Sequence, residues 1–407
     1  MKLLFCQKNF TVGNEQREKG IRMHSDNIRF WILISLITIS GFSQGMLLPL
    51  IAIILEQNGI SSSVNGLHAT GIYLGILIAS PFMEKPLRKF GFKPIILAGG
   101  LLVIISFSLF PFWQALWFWF MLRVTVGIGD QMLHFGIQTW ITTTTPKEIR
   151  GRRVAYYGMF FGLGFAIGPV MTRFLEVHIA LPFILSAILS ALVWSLMLFV
   201  RNEMPEKGSQ ELHRANSVHR FVQTLKIAWV ALLPGFAYGF LESALHSIFP
   251  VYGLRIGHNI NLLSFIIPCF ALGSLITQIP LGILSDRIGR RKTLLYILFG
   301  AMITFAATAF FEQSGLALFA AFTIAGMLVG SLYSLGMAFM TDMLPSSLLP
   351  SGNILISILF SIGSISGPFL SGLFLDLLPD ASFFILIASM LFIVFLSILF
   401  AKQKPVS

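Results

Sequence analysis

The chain has 407 residues, of which 56% are hydrophobic and 11% charged, and its mean hydropathy is +0.83. A soluble globular domain carries about a quarter charged residues, so this composition excludes one and fits a polytopic membrane protein. The formal net charge of +11 does not point to nucleic acid. Of the 28 Lys and Arg, 25 fall in the tails and in alternate inter-helix loops, leaving only Arg123, Arg173 and Arg255 elsewhere. That alternation is the positive-inside signature.

Residues 1–22 are polar, with basic residues at both ends, and do not read as a signal peptide. Cys6 and Cys269 are too few and too differently placed for a disulfide, and read as unpaired thiols. Runs of about 20 apolar residues predict twelve spans. They lie near 30–55, 66–83, 94–112, 115–141, 154–175, 180–200, 227–252, 261–284, 293–312, 316–340, 352–374 and 382–401. The expected fold is therefore an all-α membrane protein of twelve transmembrane helices in two six-helix bundles. The long polar break Arg201–Lys226 carries Pro205, Gly208, five Lys/Arg and two His. It divides the chain into 1–29 (N-terminal tail), 30–200 (first bundle), 201–226 (linker), 227–401 (second bundle) and 402–407 (C-terminal tail). An even span number with basic loops places both termini and the linker in the cytoplasm, in a multi-pass plasma-membrane protein.

The halves look like copies. Gly41-Phe42-x-x-Gly45-x-Leu47 opens span 1 and Gly235-Phe236-x-x-Gly239-x-Leu241 opens span 7, an offset of 194. Gly164-x-x-x-Gly168-Pro169 in span 5 matches Gly363-x-x-x-Gly367-Pro368 in span 11, an offset of 199. Small residues four apart permit close helix contact, and proline bends a helix. Such repeats build transporter sites at the midplane between two halves.

Span 4 holds a guanidinium within an apolar run. Placing Arg123 in lipid costs from a few to more than ten kcal/mol, so a polar cavity or a counter-charge is expected to receive it. At about 100° per residue, Arg123, Gly127, Asp130, His134 and Gln138 share one face. Span 7 holds Glu242, with His246 four residues on. Arg123 and Glu242 lie at similar depths, ~12 Å and ~15 Å from their outer helix ends at ~1.5 Å per residue. Arg123 thus has two candidate partners, Asp130 on its own helix and Glu242 in the other half. Desolvation disfavours the ionised form of a carboxylate, so an intramembrane acid without a permanent cationic partner suits reversible protonation. In the second half, the offset of 199 places Phe322, Gly326 and Val329 opposite Arg123, Gly127 and Asp130. The glycine is repeated and reads as packing, whereas the charges are unmatched and read as function. Proton coupling is accordingly assigned to Arg123, Asp130, Glu242, His134 and His246. Gln44, Gln131, Gln138, Tyr238 and Asn353 are candidate cavity residues. No metal spacing, phosphate-binding loop or nucleotide fold appears, so no cofactor or metal is expected.

The loop between spans 8 and 9 reads Gly282-Ile-Leu-Ser-Asp286-Arg287-Ile-Gly289-Arg290-Arg291-Lys292. With these residues the chain resembles the major facilitator superfamily, whose cytoplasmic gate loop carries Gly-x-x-x-Asp-Arg-x-Gly-Arg-Arg. In the first-half copy, Glu84 replaces the motif glycine and Arg88 the motif aspartate. The basic loop Pro146–Arg153 resembles the family's loop between helices 4 and 5, and Asp286 is a candidate partner for it. Arg123-x-x-x-Gly127-x-Gly129 and the partial glycine–proline motif of span 5 resemble the 12-helix drug:proton antiporter branch. The resemblance implies a monomeric, non-enzymatic secondary transporter that exchanges protons for small amphipathic molecules or drugs by alternating access. Two alternatives stay open, a proton-linked metabolite uptake symporter and a non-transporting membrane receptor or interaction protein.

Overall fold

The computed structural model describes residues 2–205, 217–345 and 348–401, with side chains from residue 26 onward apart from those of 147–148, 217–219 and 350. The central part of the linker and the tail at 402–407 lie outside the described residues. The fold is helical throughout: α1 (Lys2–Gln57), α2 (Ser62–Ala69), α3 (Gly71–Ala79), α4 (Glu84–Phe90), α5 (Phe92–Leu109), α6 (Leu116–Thr144), α7 (Lys147–Ile167) and α8 (Leu181–Leu196) precede the linker. After it come α9 (Ser217–Ser247), α10 (Phe249–Arg255), α11 (Ile260–Ile288), α12 (Arg290–Phe311), α13 (Gly315–Val329), α14 (Leu332–Met343), α15 (Leu349–Leu377) and α16 (Phe383–Phe400). Each of the twelve predicted spans falls on one or two of these.

Among the described residues, ten helical stretches are long and apolar enough to cross a membrane, and an eleventh, Ser62–Phe82 with Glu84–Phe90, is bent by 58°. The predicted span absent from that set is α6. Its hydropathy is lowered by the polar face carrying Arg123, Asp130, His134 and Gln138. It nevertheless packs against α3 and α5, with Arg123 and Asp130 buried and Gln138 exposed toward one end.

Two buried apolar clusters form, one from Phe30 to Val200 and one from Ala228 to Ile398. Within each, glycines let helix backbones touch. A Cβ on Gly127 would lie 2.1 Å from the Ile72 carbonyl oxygen, and one on Gly326 would lie 2.0 Å from that of Phe270. The same contact thus recurs about 199 residues on, which supports the packing reading of this pair. Gly164 abuts the Thr38 carbonyl of α1, and Gly363 abuts the Phe236 carbonyl of α9. Gly168 and Gly367 extend these seams. The prolines beyond them act differently. Pro169 opens a 3-10 stretch, Gly168–Glu176, whereas Pro368 sits inside the continuous α15.

The first residues of the linker are anchored. Glu203 accepts from Arg29 and from Trp140 Nε1 at 2.7 Å, and its carbonyl accepts from the Phe92 N–H at 3.0 Å. The end of the bundle where Glu203 meets Arg29 and where α16 finishes at Ala401 is called here the terminal end; the other end is the distal end. Between the two sets of helices, α1 packs on α9 and α10, α2 on α15, and α11 on α7 and the 3-10 stretch. Polar contacts between the sets gather at the distal end, where Arg255 meets Glu56, Asp376 meets Ser62 and Ser63, and Asn261 meets Glu176. Gln138, Asn353 and Ser357 lie toward the terminal end and are exposed. This conformation is closed at the distal end.

The recurring glycine seam gives a direct test. Gly127→Ala and Gly326→Ala should each destabilise the purified protein by about 1–3 kcal/mol, the usual cost of overpacking. Thermal unfolding in detergent measures it, and the two variants should lose similar amounts.

Candidate functional site

Arg123 is fully buried on α6. Its Nη2 donates to the carbonyls of Leu47 at 3.0 Å and Leu48 at 3.4 Å on α1, while Nε and Nη1 have no hydrogen-bond partner among the described residues. It bonds neither expected carboxylate. The reason lies in side-chain direction, since helical side chains lean toward their own N-terminus. Helix α6 starts at the distal end, so Arg123 leans distally, away from Asp130 two turns further on. Helix α9 starts at the terminal end, so Glu242 leans that way. Equal depth of the two Cα atoms therefore does not bring the charges together.

Asp130 is buried and receives neutral donors from α1, the Ser40 hydroxyl and the Gln44 amide, one on each carboxylate oxygen. His134, one turn along α6, places Nε2 3.7 Å from the same carboxylate, and its Nδ1 faces the Tyr157 hydroxyl of α7 at 2.5 Å. A buried carboxylate with hydrogen-bonding partners but no fixed cation can exist protonated or ionised without leaving a buried polar group unpaired. Gln44 belongs to this cluster. Gln131 is half-buried and Gln138 exposed, and neither joins it.

Glu242 is the corresponding acid of the second set. The hydroxyl of Tyr238, one turn earlier on α9, donates to its Oε1 at 3.1 Å. Tyr238 stacks on Phe360 of α15 at 6.1 Å, and Phe360 meets Tyr333 of α14 edge-on at 5.6 Å. Asn353 lies four residues before Ser357 on α15, accepts its hydroxyl through the backbone carbonyl, and stays exposed. His246 is fully buried, with Nδ1 2.7 Å from the Glu242 carbonyl and Nε2 unpartnered. Its ring lies 4.5 Å from Phe165, across the boundary between the sets.

Two contributors escaped sequence reading. Ser40 and Tyr157 complete the Asp130 cluster. No local signal marks them, because serine and tyrosine are ordinary in membrane helices until a neighbouring helix supplies a buried charge.

The terminal-end motif is built within the second set. Asp286 pairs with Arg290, which also contacts Ser285 and reaches Asp342 of α14 at 3.6 Å. The stretch Pro146–Arg153, expected as a loop and a candidate partner of Asp286, is instead the N-cap and first two turns of α7, and it uses Arg150 on the Thr145 carbonyl and Arg153 on Asn27. Arg291 donates to the carbonyls of Ile398, Leu399 and Ala401, capping the C-terminus of α16, where the helix dipole favours a cation. Arg287 is exposed, and Gly289 at φ 96° makes the turn between Gly282 on α11 and α12. In the first-half copy, Glu84 pairs with Arg88 at 2.6 Å, so the acid acts one turn away from the motif position. Among the described residues no group of His, Cys, Asp and Glu is arranged to hold a metal.

Two packed sets of helices, pseudo-symmetric in their glycine seams and enclosing polar groups at mid-depth, define a membrane transporter. Residues 33–268 and 235–407 match the family model of the Major Facilitator Superfamily, and the chain belongs to that family. It is 50% identical to the uncharacterized MFS-type transporter YfkF of Bacillus subtilis (strain 168) over 92% of this chain and 96% of that one. It is 21% identical to the MFS-type transporter YcaD of Escherichia coli O45:K1, over 90% and 94%. Its fold is similar to the nucleoside transporter NupG (TM-score 0.75, 12% identity, covering 92% of this chain and 100% of that one). It also resembles a bacterial homologue of the human lysosomal transporter Spinster in an inward-facing, occupied conformation (TM-score 0.69, 13% identity, 92% and 96%). The protein is thus an MFS-type secondary transporter and not an enzyme.

The Asp130 cluster predicts a stability order. Asp130→Asn keeps polar partners for Ser40 and Gln44, whereas Asp130→Leu strands both donors and should cost about 1–3 kcal/mol more. Comparing the thermal midpoints of the two variants measures the difference.

Proposed function

We propose that this transporter exports small amphipathic molecules in exchange for protons, by alternating access, in the manner of the drug:proton antiporter branch. The observation that carries the reading is a pair of intramembrane acids, one on each side of the boundary. Asp130 and Glu242 both hold neutral hydrogen-bond donors, and the one buried guanidinium nearby is bonded to neither. Glu242 has no cationic partner among the described residues and Asp130 only the titratable imidazole of His134 at 3.7 Å, so each is free to take up and release a proton. Arg123 keeps two nitrogens without a partner. An ionised Glu242 gains from approaching that guanidinium and a protonated one does not, so protonation biases the two conformations by a differential interaction. His134 and His246 are secondary proton-handling groups in this scheme. Gln44, Tyr238 and the aromatic pair Tyr333 and Phe360 offer the surface on which an amphipathic substrate rests, with Gln131, Gln138 and Asn353 along its route from the terminal end.

In this reading the bundles at 30–200 and 227–401 rock about the site, joined by the linker at 201–226, with tails at 1–29 and 402–407. The protein works as a monomer in the plasma membrane. Its termini are cytoplasmic, in accord with the basic loops, so the conformation closed at the distal end is the inward-facing one. The motif around Asp286 and the Gly164, Gly168, Pro169, Gly363, Gly367 and Pro368 seams serve as gate and rocking surfaces.

Uptake driven by protons would use the same acids, and direction of flux separates the two. Inverted membrane vesicles test the proposal directly. An imposed proton gradient should drive accumulation of a lipophilic probe, and Glu242→Gln and Asp130→Asn should each reduce it to near background. Transport that survives in both variants, or that ignores the gradient, would rule the mechanism out.

A further inference from the structure

Three basic residues stand outside the positive-inside alternation: Arg123, Arg173 and Arg255. Arg123 is explained by its bonds to α1. The other two both lie at the distal end and both reach across to the other set of helices. The Arg173 guanidinium sits 5.7 Å from the centre of the Phe265 ring. Arg255 holds Glu56 with two hydrogen bonds, Nε to Oε1 at 2.7 Å and Nη2 to Oε2 at 3.1 Å. Such a paired fork is the strong geometry for an arginine–carboxylate contact.

Asp376 makes the reciprocal contact. Its Oδ1 accepts from the Ser62 N–H at 3.0 Å and its Oδ2 from the Ser63 N–H at 2.7 Å, at the first turn of α2. An anion is favoured there because the N–H groups lack helical partners and the dipole is positive. Asp376 also lies 3.9 Å from Arg255 Nη1. The charges cross over: the second set gives a cation to an acid of the first, and an acid to a helix N-terminus of the first. Directly beneath, the backbones meet without side chains between them. A Cβ on Gly66 would lie 2.1 Å from the Pro368 carbonyl oxygen, and one on Gly372 would lie 2.1 Å from that of Ser62. The repeat does not demand this arrangement. At the two offsets, Arg255 corresponds to Ser61, Glu56 to Pro250 and Asp376 to Val177, none of them charged.

We propose that Arg255, Glu56 and Asp376 form a crossed ionic latch that holds the distal end closed and sets the resting balance between distal-closed and distal-open conformations. The latch acts on rocking itself and so rests on the alternating-access reading, but not on the identity of the substrate or on proton coupling. It also accounts for a basic residue kept at the distal end against the topology rule. When the helices part, Glu56 and the first turn of α2 lose their partners to water together, so the contacts break as a unit. The Glu56–Arg255 pair is part-exposed, and salt weakens it.

Distances between spin labels test this without substrate or a proton gradient, so failure of the export reading leaves the result interpretable. The labels go on cysteines at Asn58 and Leu378, two exposed distal positions outside the latch, with Cys6 and Cys269 replaced by serine, in nanodiscs. Arg255→Ala and Glu56→Gln should each raise the long-distance population roughly threefold to fivefold, the scale of a strong part-exposed pair. The charge swap E56R/R255E should restore the short distance in part, because the new carboxylate at 255 would also face Asp376. Asp376→Asn should shift the population on its own, and the swap should not correct it. Raising ionic strength on the otherwise unmutated labelled protein should move the population the same way, which guards against variants that merely misfold. The latch is wrong if the three single variants and the salt series all leave the distribution unchanged. It is equally wrong if Arg255→Ala and Glu56→Gln shift it but the swap returns none of the short-distance population.

Discussion

The structure depends on how a guanidinium is accommodated inside a bilayer-spanning helix. Arg123 has no acid to neutralise it and is held by the carbonyls of Leu47 and Leu48. A helical carbonyl has a second lone pair beyond its own ladder bond, so α1 can accept from Arg123 without unwinding. This ties α6 to α1, and α3 closes over the arginine, with Gly71 placed where a Cβ would lie 3.1 Å from that of Arg123. Three helices of the first set are thereby fixed around one charge. Neither carboxylate is bonded to that guanidinium, and the one cation-forming neighbour of Asp130 is itself titratable, His134 at 3.7 Å.

A second constraint is the approach of helix backbones. In lipid there is no strong hydrophobic drive to bring helices together, so close packing carries the association. The glycine seams supply it twice, α3 on α6 and α11 on α13, then α1 on α7 and α9 on α15. The repeated seams make a scaffold, while the charges differ between its two copies. Asp130 with Ser40, Gln44 and His134 has no counterpart in the second set, and Glu242 with Tyr238 has none in the first. Chemistry in this molecule is therefore asymmetric on a symmetric frame. The distal contacts follow the same rule, since Arg255, Glu56 and Asp376 also break the repeat.

The terminal end shows what happens when a repeated motif diverges. In the second half Asp286 and Arg290 form the motif pair, supported by Asp342. In the first half the acid has moved to Glu84 and pairs with Arg88 one turn on. The basic first turns of α7 serve the end of α6 and α1 instead of crossing to Asp286. Each half thus neutralises its own loop in this conformation, and the firm ionic contacts between halves sit at the opposite end.

Much of this was legible in the residues. Hydropathy located the spans, because a run of apolar side chains about 20 long has few other fates. The span that carries Arg123 and Asp130 is apolar enough on its remaining faces to be placed as well. Internal repetition separated Gly127, repeated and packed against a carbonyl, from Arg123 and Asp130, unmatched in the second half. What the sequence could not decide was pairing. Separation along a helix gives the depth of a Cα atom but not which way its side chain leans, and α6 and α9 run in opposite directions. Arg123 and Glu242 therefore share a level and still lean apart, while Ser40 and Tyr157 acquire their roles from helices distant in the chain. Span positions follow from the free energy of each segment in lipid and are a property of the segment alone. The partners of a buried charge follow from which helices touch, and only the tertiary structure fixes that.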